Sequence, residues 1–98
     1  MEITYKNKKL RRICTENKVA IQTYGIEMAR KIEMRIQEIQ VADSVESMIR
    51  YRIGRCHLLK NNRKDQYAVD LIHPYRLVFE QQGDTIELVH IFEIVDYH

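Results

Sequence analysis

Apolar positions follow two different periods along the chain. From Gly25 onward, Ile26, Ala29, Ile32, Ile36 and Ile39 recur at three- and four-residue steps, with Glu27, Arg30, Lys31, Arg35 and Glu38 between them. That spacing draws one apolar stripe along an α-helix and predicts an amphipathic helix to about Val41. Ahead of it, residues 2–5 alternate as a short strand does, and residues 6–16 read as a basic helix. Asp43 or Ser44 stands where a short oxygen-bearing side chain would cap a further helix, "SVESMIRY".

After Gly54 the period drops to two. "CHLLK", "QYAVDLI", "YRLVFE" and "TIELVHIFEIV" read as strands, separated by "NNRKD", "HP" and "QQGD". Asn and Gly tolerate positive φ, and His73-Pro74 marks a tight reversal. The last run is apolar on both faces, with Ile86, Leu88, Phe92 and Ile94 on one and Val89, Ile91 and Val95 on the other. A strand buried on both sides is expected at the centre of its sheet. The outline is one α+β domain over residues 1–98, with two or three N-terminal helices packed on a four-stranded, mostly antiparallel sheet.

Composition narrows the class. With 98 residues, 45% hydrophobic and 31% charged, the chain suits one soluble core. No stretch approaches the ~18 apolar residues of a membrane span. "MEITYKNKKLRRICTEN" has no apolar signal region, and Cys14 and Cys56 are far apart, so a reducing cytoplasm is expected. Three scattered glycines exclude a phosphate-cradling Gly-rich loop. His57, His73, His90 and His98 lack metal-ligand spacing, so neither metal nor cofactor is expected.

Net charge is only +2, yet its distribution is uneven. Residues 50–64 carry Arg50, Arg52, Arg55, Lys60, Arg63 and Lys64 and no acid, whereas Arg76 is the one Lys or Arg from Asp65 onward. Lys6, Lys8, Lys9, Arg11 and Arg12 add a second basic stretch. Such clustering either marks a polyanion site, RNA or DNA, or is a solvated surface.

Proton-transfer chemistry concentrates at the C-terminal end. Period two sends Ile94, Asp96 and His98 to one face of the last strand and Val95 and Tyr97 to the other. A carboxylate beside a histidine orients the ring and raises its basicity, as acid-base catalysis requires; the alternative is a polar tail. His57 and Lys60 lie three apart in the basic run, either as a strand end or as a proton-transfer group beside a phosphate-binding cation. Arg76, inside "YRLVF", either snorkels to water or clamps an anion. Cys56 and His57, as strand neighbours, face opposite ways, which argues against a thiol nucleophile.

Four of these segments together resemble HigB-type toxins of the RelE/ParE superfamily, the plasmid maintenance killer proteins. That family shows a His-x-Leu-x-Gly segment, a Gly-x-Trp/Tyr strand start, an Arg-x-x-Phe strand and a terminal Asp-Tyr-His. The counterparts here are His57-Leu58-Leu59-Lys60-Asn61, Asp65-Gln66-Tyr67, Arg76-Leu77-Val78-Phe79 and Asp96-Tyr97-His98. The resemblance covers Gly54 to His98, while the helical half agrees in pattern and length. Asn61 and Asp65 replace family glycines with residues that tolerate left-handed backbone, and Leu58 stands where Pro is common.

The resemblance implies a RelE-like, microbial ribonuclease-type fold. It implies a type II toxin that cuts mRNA in the ribosomal A site, on the 30S subunit beside 16S rRNA, and is neutralised by a HigA-like helix-turn-helix antitoxin. Carried over by position, His57, Lys60, Asp96, Tyr97 and His98 line the RNA site. Arg76, with Arg63 and Lys64, binds substrate phosphate. Two alternatives stand beside it: a ParE-like inhibitor of DNA gyrase that cleaves nothing, and an inert module whose basic face docks RNA.

Overall fold

The computed structural model describes residues 1–60, 65–82 and 88–96. The chain opens with strand β1 (Glu2–Tyr5) and continues through α1 (Lys8–Thr15), α2 (Asn17–Tyr24), α3 (Ile26–Val41) and α4 (Val45–Arg50). A single 3₁₀ turn at Ile53–Arg55 then leads into β2 (His57–Leu58), β3 (Gln66–Asp70), β4 (Tyr75–Gln81) and β5 (Leu88–Asp96).

The helices form where side chains settle their ends and one face turns inward. Asn7 caps α1 by accepting from the Leu10 N–H at 2.8 Å, and Leu10, Ile13 and Cys14 are buried while Lys8, Lys9, Arg11 and Arg12 stay outside. α3 spans the expected range and buries Met28, Ala29, Ile32, Ile36 and Ile39. Ile26 departs from the predicted stripe, being 54% exposed in the first turn. Ser44, one of the two expected caps, and Ser47 form a reciprocal capping box at α4. α2 was not visible in the pattern because it buries only Ala20 and so presents no stripe. Gly25, at φ 89°, separates it from α3 in a conformation that favours glycine.

Among the described residues the strands form one five-stranded sheet in the order β1-β5-β4-β3-β2. The expected four strands thus become five, because β1 joins the sheet parallel to β5, Ile3 opposite Val89 and Tyr5 opposite Ile91. All other pairings are antiparallel. β5 is interior but not central as expected: β1 adds beyond it and β4 holds the centre. The helices and one sheet face share a core containing Ile32, Ile39, Met48, Val69, Leu77, Phe79, Val89 and Ile91. Ala68 and Val78 alternate with these and point to the second face, called here the outer face, outside that core.

A β-bulge corrects the predicted facing of β5. Leu77 pairs with Ile94 and Val78 with Glu93, but Phe79 pairs with Ile91. Phe92 is therefore the extra residue, and one extra residue inverts the alternation on either side of it. Before the bulge Val89 and Ile91 face the core; after it Ile94 does. Phe92 does not share a regular face with Ile94, and its ring lies 4.1 Å under the Lys6 ammonium.

Candidate active site

The second half of the basic run enters the sheet through an unusual piece of backbone. Arg52, Gly54 and Arg55 all have φ between 54° and 57°. For a residue with a Cβ this left-handed conformation costs about 1–2 kcal/mol, so surrounding contacts must hold it. Gly54 also makes room: a Cβ there would lie 2.8 Å from Arg35 Nε.

Those contacts converge on Asp70, at the end of β3. Arg55 grips its carboxylate with two bonds, Nε to Oδ2 at 2.6 Å and a terminal guanidinium nitrogen to Oδ1 at 3.0 Å. Arg76 Nε stands 3.6 Å from Oδ1, since Arg76 is the direct cross-strand partner of Asp70. From the helical side, Arg35 of α3 donates through Nε to the Asp70 carbonyl at 2.7 Å. The Arg55 hydrogen bond holds the Asp70 carboxyl below its ordinary range, against partial burial and with Coulombic help from Arg55, Arg76 and His57. The same bond pushes the Arg55 guanidinium up.

His57 sits beside this cluster, opposite Ala68 and so on the outer face. Its Nδ1 lies 2.9 Å from the Arg55 carbonyl oxygen. A carbonyl only accepts, so Nδ1 carries the proton, and proton exchange with any substrate runs through Nε2. Lys60 follows β2 as an exposed side chain, on a segment tied to β3 by Leu59 N–H donating to the Gln66 carbonyl at 2.8 Å.

The predicted residues are brought together only in part. His57 and Arg76 share the outer face and flank Asp70. Val95 of β5 pairs with Arg76, whereas exposed Asp96 pairs with Tyr75, whose ring packs against the core and meets Tyr24 edge-on at 5.5 Å. By register Asp96 therefore starts on the helix side of the sheet. Arg63, Lys64, Tyr97 and His98 lie outside the described residues, as does Asn61, while Asp65 takes the left-handed backbone expected of it, at φ 60°. Arg76 does approach an anion, though one supplied by the chain itself. Cys56 is buried and its thiol is pushed up to about 12 by desolvation, a poor nucleophile. Among the described residues no cluster of three or more His, Cys, Asp or Glu is placed to hold a metal ion.

Asp70, Arg55 and Arg35 were not picked out as site residues from the sequence. A signal for Asp70 was present. A reversal centred on His73 pairs position 70 with position 76, which places an acid directly opposite an arginine.

The arrangement of helices on one face of a mixed sheet matches the fold of YoeB/ParE-type toxins. No family model and no curated protein matches the chain. Among solved structures, a YoeB/ParE toxin from Agrobacterium tumefaciens matches over 100% of both chains, with a TM-score of 0.66 and 13% identity. A YoeB-YefM complex from Staphylococcus aureus matches over 100% of this chain and 97% of that one, with a TM-score of 0.64 and 22% identity. A heterotetrameric YoeB-YefM toxin-antitoxin complex from the same organism gives 0.55 at 22% identity. Likeness at these identities is a likeness of fold.

Proposed function

We propose that the chain is the toxin of a type II toxin-antitoxin system, a HigB-type endoribonuclease that cuts mRNA in the ribosomal A site without a metal. The observation that carries this reading is His57, its Nδ1 against the Arg55 carbonyl, on the sheet face that also carries Arg76. Cleavage needs a base to take the 2′-OH proton as that oxygen attacks phosphorus, an acid to protonate the departing 5′-oxygen, and cations to stabilise the phosphorane. His57 moves one proton through Nε2. His98, oriented by Asp96, moves the other. Arg76 and Lys60, with Arg63 and Lys64, neutralise charge on phosphorus, and Tyr97 stacks on a base. Val95 pairs with Arg76, so the strand that leads to Tyr97 and His98 runs past the arginine.

The protein acts in the cytoplasm, where ribosomes supply its substrate. No described helix is long and apolar enough to cross a membrane. A HigA-like helix-turn-helix antitoxin neutralises it, a role for which the Staphylococcus toxin, in complex with YefM, offers a parallel.

Translation of a defined mRNA in a purified system, followed by primer extension, tests the reading. Wild type and His98→Ala run side by side, with and without ribosomes. The expected result is discrete cuts within codons that require ribosomes and fall by about 100- to 10,000-fold in the variant. Intact mRNA in every lane, with inhibition of gyrase on relaxed plasmid, would replace the enzyme with a gyrase inhibitor.

A further inference from the structure

We infer that Arg55 and Asp70 are positioning residues that fix the ring of His57 for proton transfer, an inference that rests on the catalytic reading of His57. The geometry forms a chain of contacts. The Asp70 carboxylate holds the Arg55 guanidinium at 2.6 and 3.0 Å. That grip fixes the left-handed backbone of Arg55, at φ 54°, and so the direction of its carbonyl. The carbonyl accepts a hydrogen bond from the Nδ1–H of His57, N to O 2.9 Å, which leaves Nε2 as the working nitrogen.

The far end of the chain is anchored in the helical layer. Arg35 donates to the Asp70 carbonyl at 2.7 Å and to Glu38 at 2.7 Å, and its side chain is only 12% exposed. Gly54 permits this approach, because a Cβ would collide with that guanidinium. Asp70 is thus held at its backbone by α3 and at its side chain by the turn before β2.

Direct phosphate binding by Arg55 is the competing role. Two of its donors already serve Asp70, and a carboxylate repels a phosphate, so the arrangement favours orientation over substrate contact. The two roles differ in what Lys can replace. Lys keeps the charge but cannot reproduce the two-pronged grip.

The test uses full-length protein with ¹⁵N-labelled histidine and the variants Asp70→Asn and Arg55→Lys, each first shown to fold by circular dichroism. Long-range ¹H–¹⁵N correlation of the neutral ring reads the His57 tautomer without any RNA. Wild type is expected in the Nδ1–H form, and both variants in a mixture with the Nε2–H form. Turnover in the ribosome assay is expected to fall about 10- to 100-fold, the range where an outer partner of an oriented histidine is lost, with KM nearly unchanged. Retention of the Nδ1–H form in both variants overturns the relay whatever the activity. A rise in KM at constant turnover in Arg55→Lys overturns it in favour of phosphate binding. If wild type cuts no RNA, the tautomer still decides the relay, so its failure and that of the catalytic reading are distinguishable. The two variants are read independently, so misfolding of one leaves the other decisive.

Discussion

The two faces of the sheet obey opposite rules. On the helix side, Val69, Leu77, Phe79, Val89 and Ile91 are wholly buried against the helices. No polar or charged side chain is buried there among the described residues. On the outer side the same strands carry paired polar groups: Arg55 and Arg76 on Asp70, Gln66 on Glu80 at 2.9 Å, and Thr4 with His90 at 2.8 Å. A face sealed from water tolerates only apolar side chains, since an unpaired charge there costs several kcal/mol. A face that keeps some water can hold guanidinium groups, a carboxylate and an imidazole together. The covered face therefore supplies stability, and the outer face is left to supply chemistry.

Substitutions that separate the two quantities test this division. The largest effect is expected at His57, where Ala should cost about 100- to 10,000-fold in cleavage rate, scored by primer extension. The same change should alter the urea unfolding free energy by no more than about 0.5 kcal/mol, as surface changes do. A comparable fall in both would show that the outer face also carries the fold. Phe79→Ala probes the other side. Its ring is 0% exposed and stacks on Tyr67 with centroids 5.8 Å apart, so truncation should cost about 3–5 kcal/mol of stability. Cleavage per folded molecule should stay unchanged. Ser44→Ala should be milder, at about 0.5–2 kcal/mol, because it removes one cap and leaves both faces intact; the urea midpoint measures it.

The same division governs what was legible in the sequence. Local periodicity found β1, α1, α3, α4 and the strand runs, because each has a cap, a stripe or an alternation of its own. The partner of β1 was not legible, since parallel pairing with β5 joins residues more than eighty positions apart and leaves no local mark. The Phe92 bulge was equally hidden: an apolar residue inside an apolar strand gives no sign that it lacks a partner. Its consequence was large, because it decides which face every later residue occupies. At the site, His57 and Arg76 were legible as reactive types in unexpected places. Arg55 looked like one more member of a basic run, and only the left-handed turn distinguishes it. Asp70 was missed because a lone acid on a strand is read as a solvent-facing residue until its cross-strand partner is known.

The smallest effect concerns acid stability, and its sign follows from the direction of the Asp70 shift. In the folded protein the Arg55 hydrogen bond and the nearby cations hold this carboxyl below its ordinary value of 3.8. A group whose folded pKa is depressed binds its proton more readily when unfolded. Its contribution is thus fully present above about 3.8 and disappears as pH falls through the lower folded value. The Asp70 side chain is 34% exposed and Arg55 60%, so solvent and salt screen the pair and the effect is modest. Urea unfolding of wild type and Asp70→Asn, repeated from neutral pH into the acid range, isolates it. The difference should be constant above the carboxylate range, shrink below 3.8 and weaken in added salt. A difference that persists unchanged at low pH would mean that Asp70 acts through shape and neutral hydrogen bonding. The outer face would then owe its order to packing, as the covered face does.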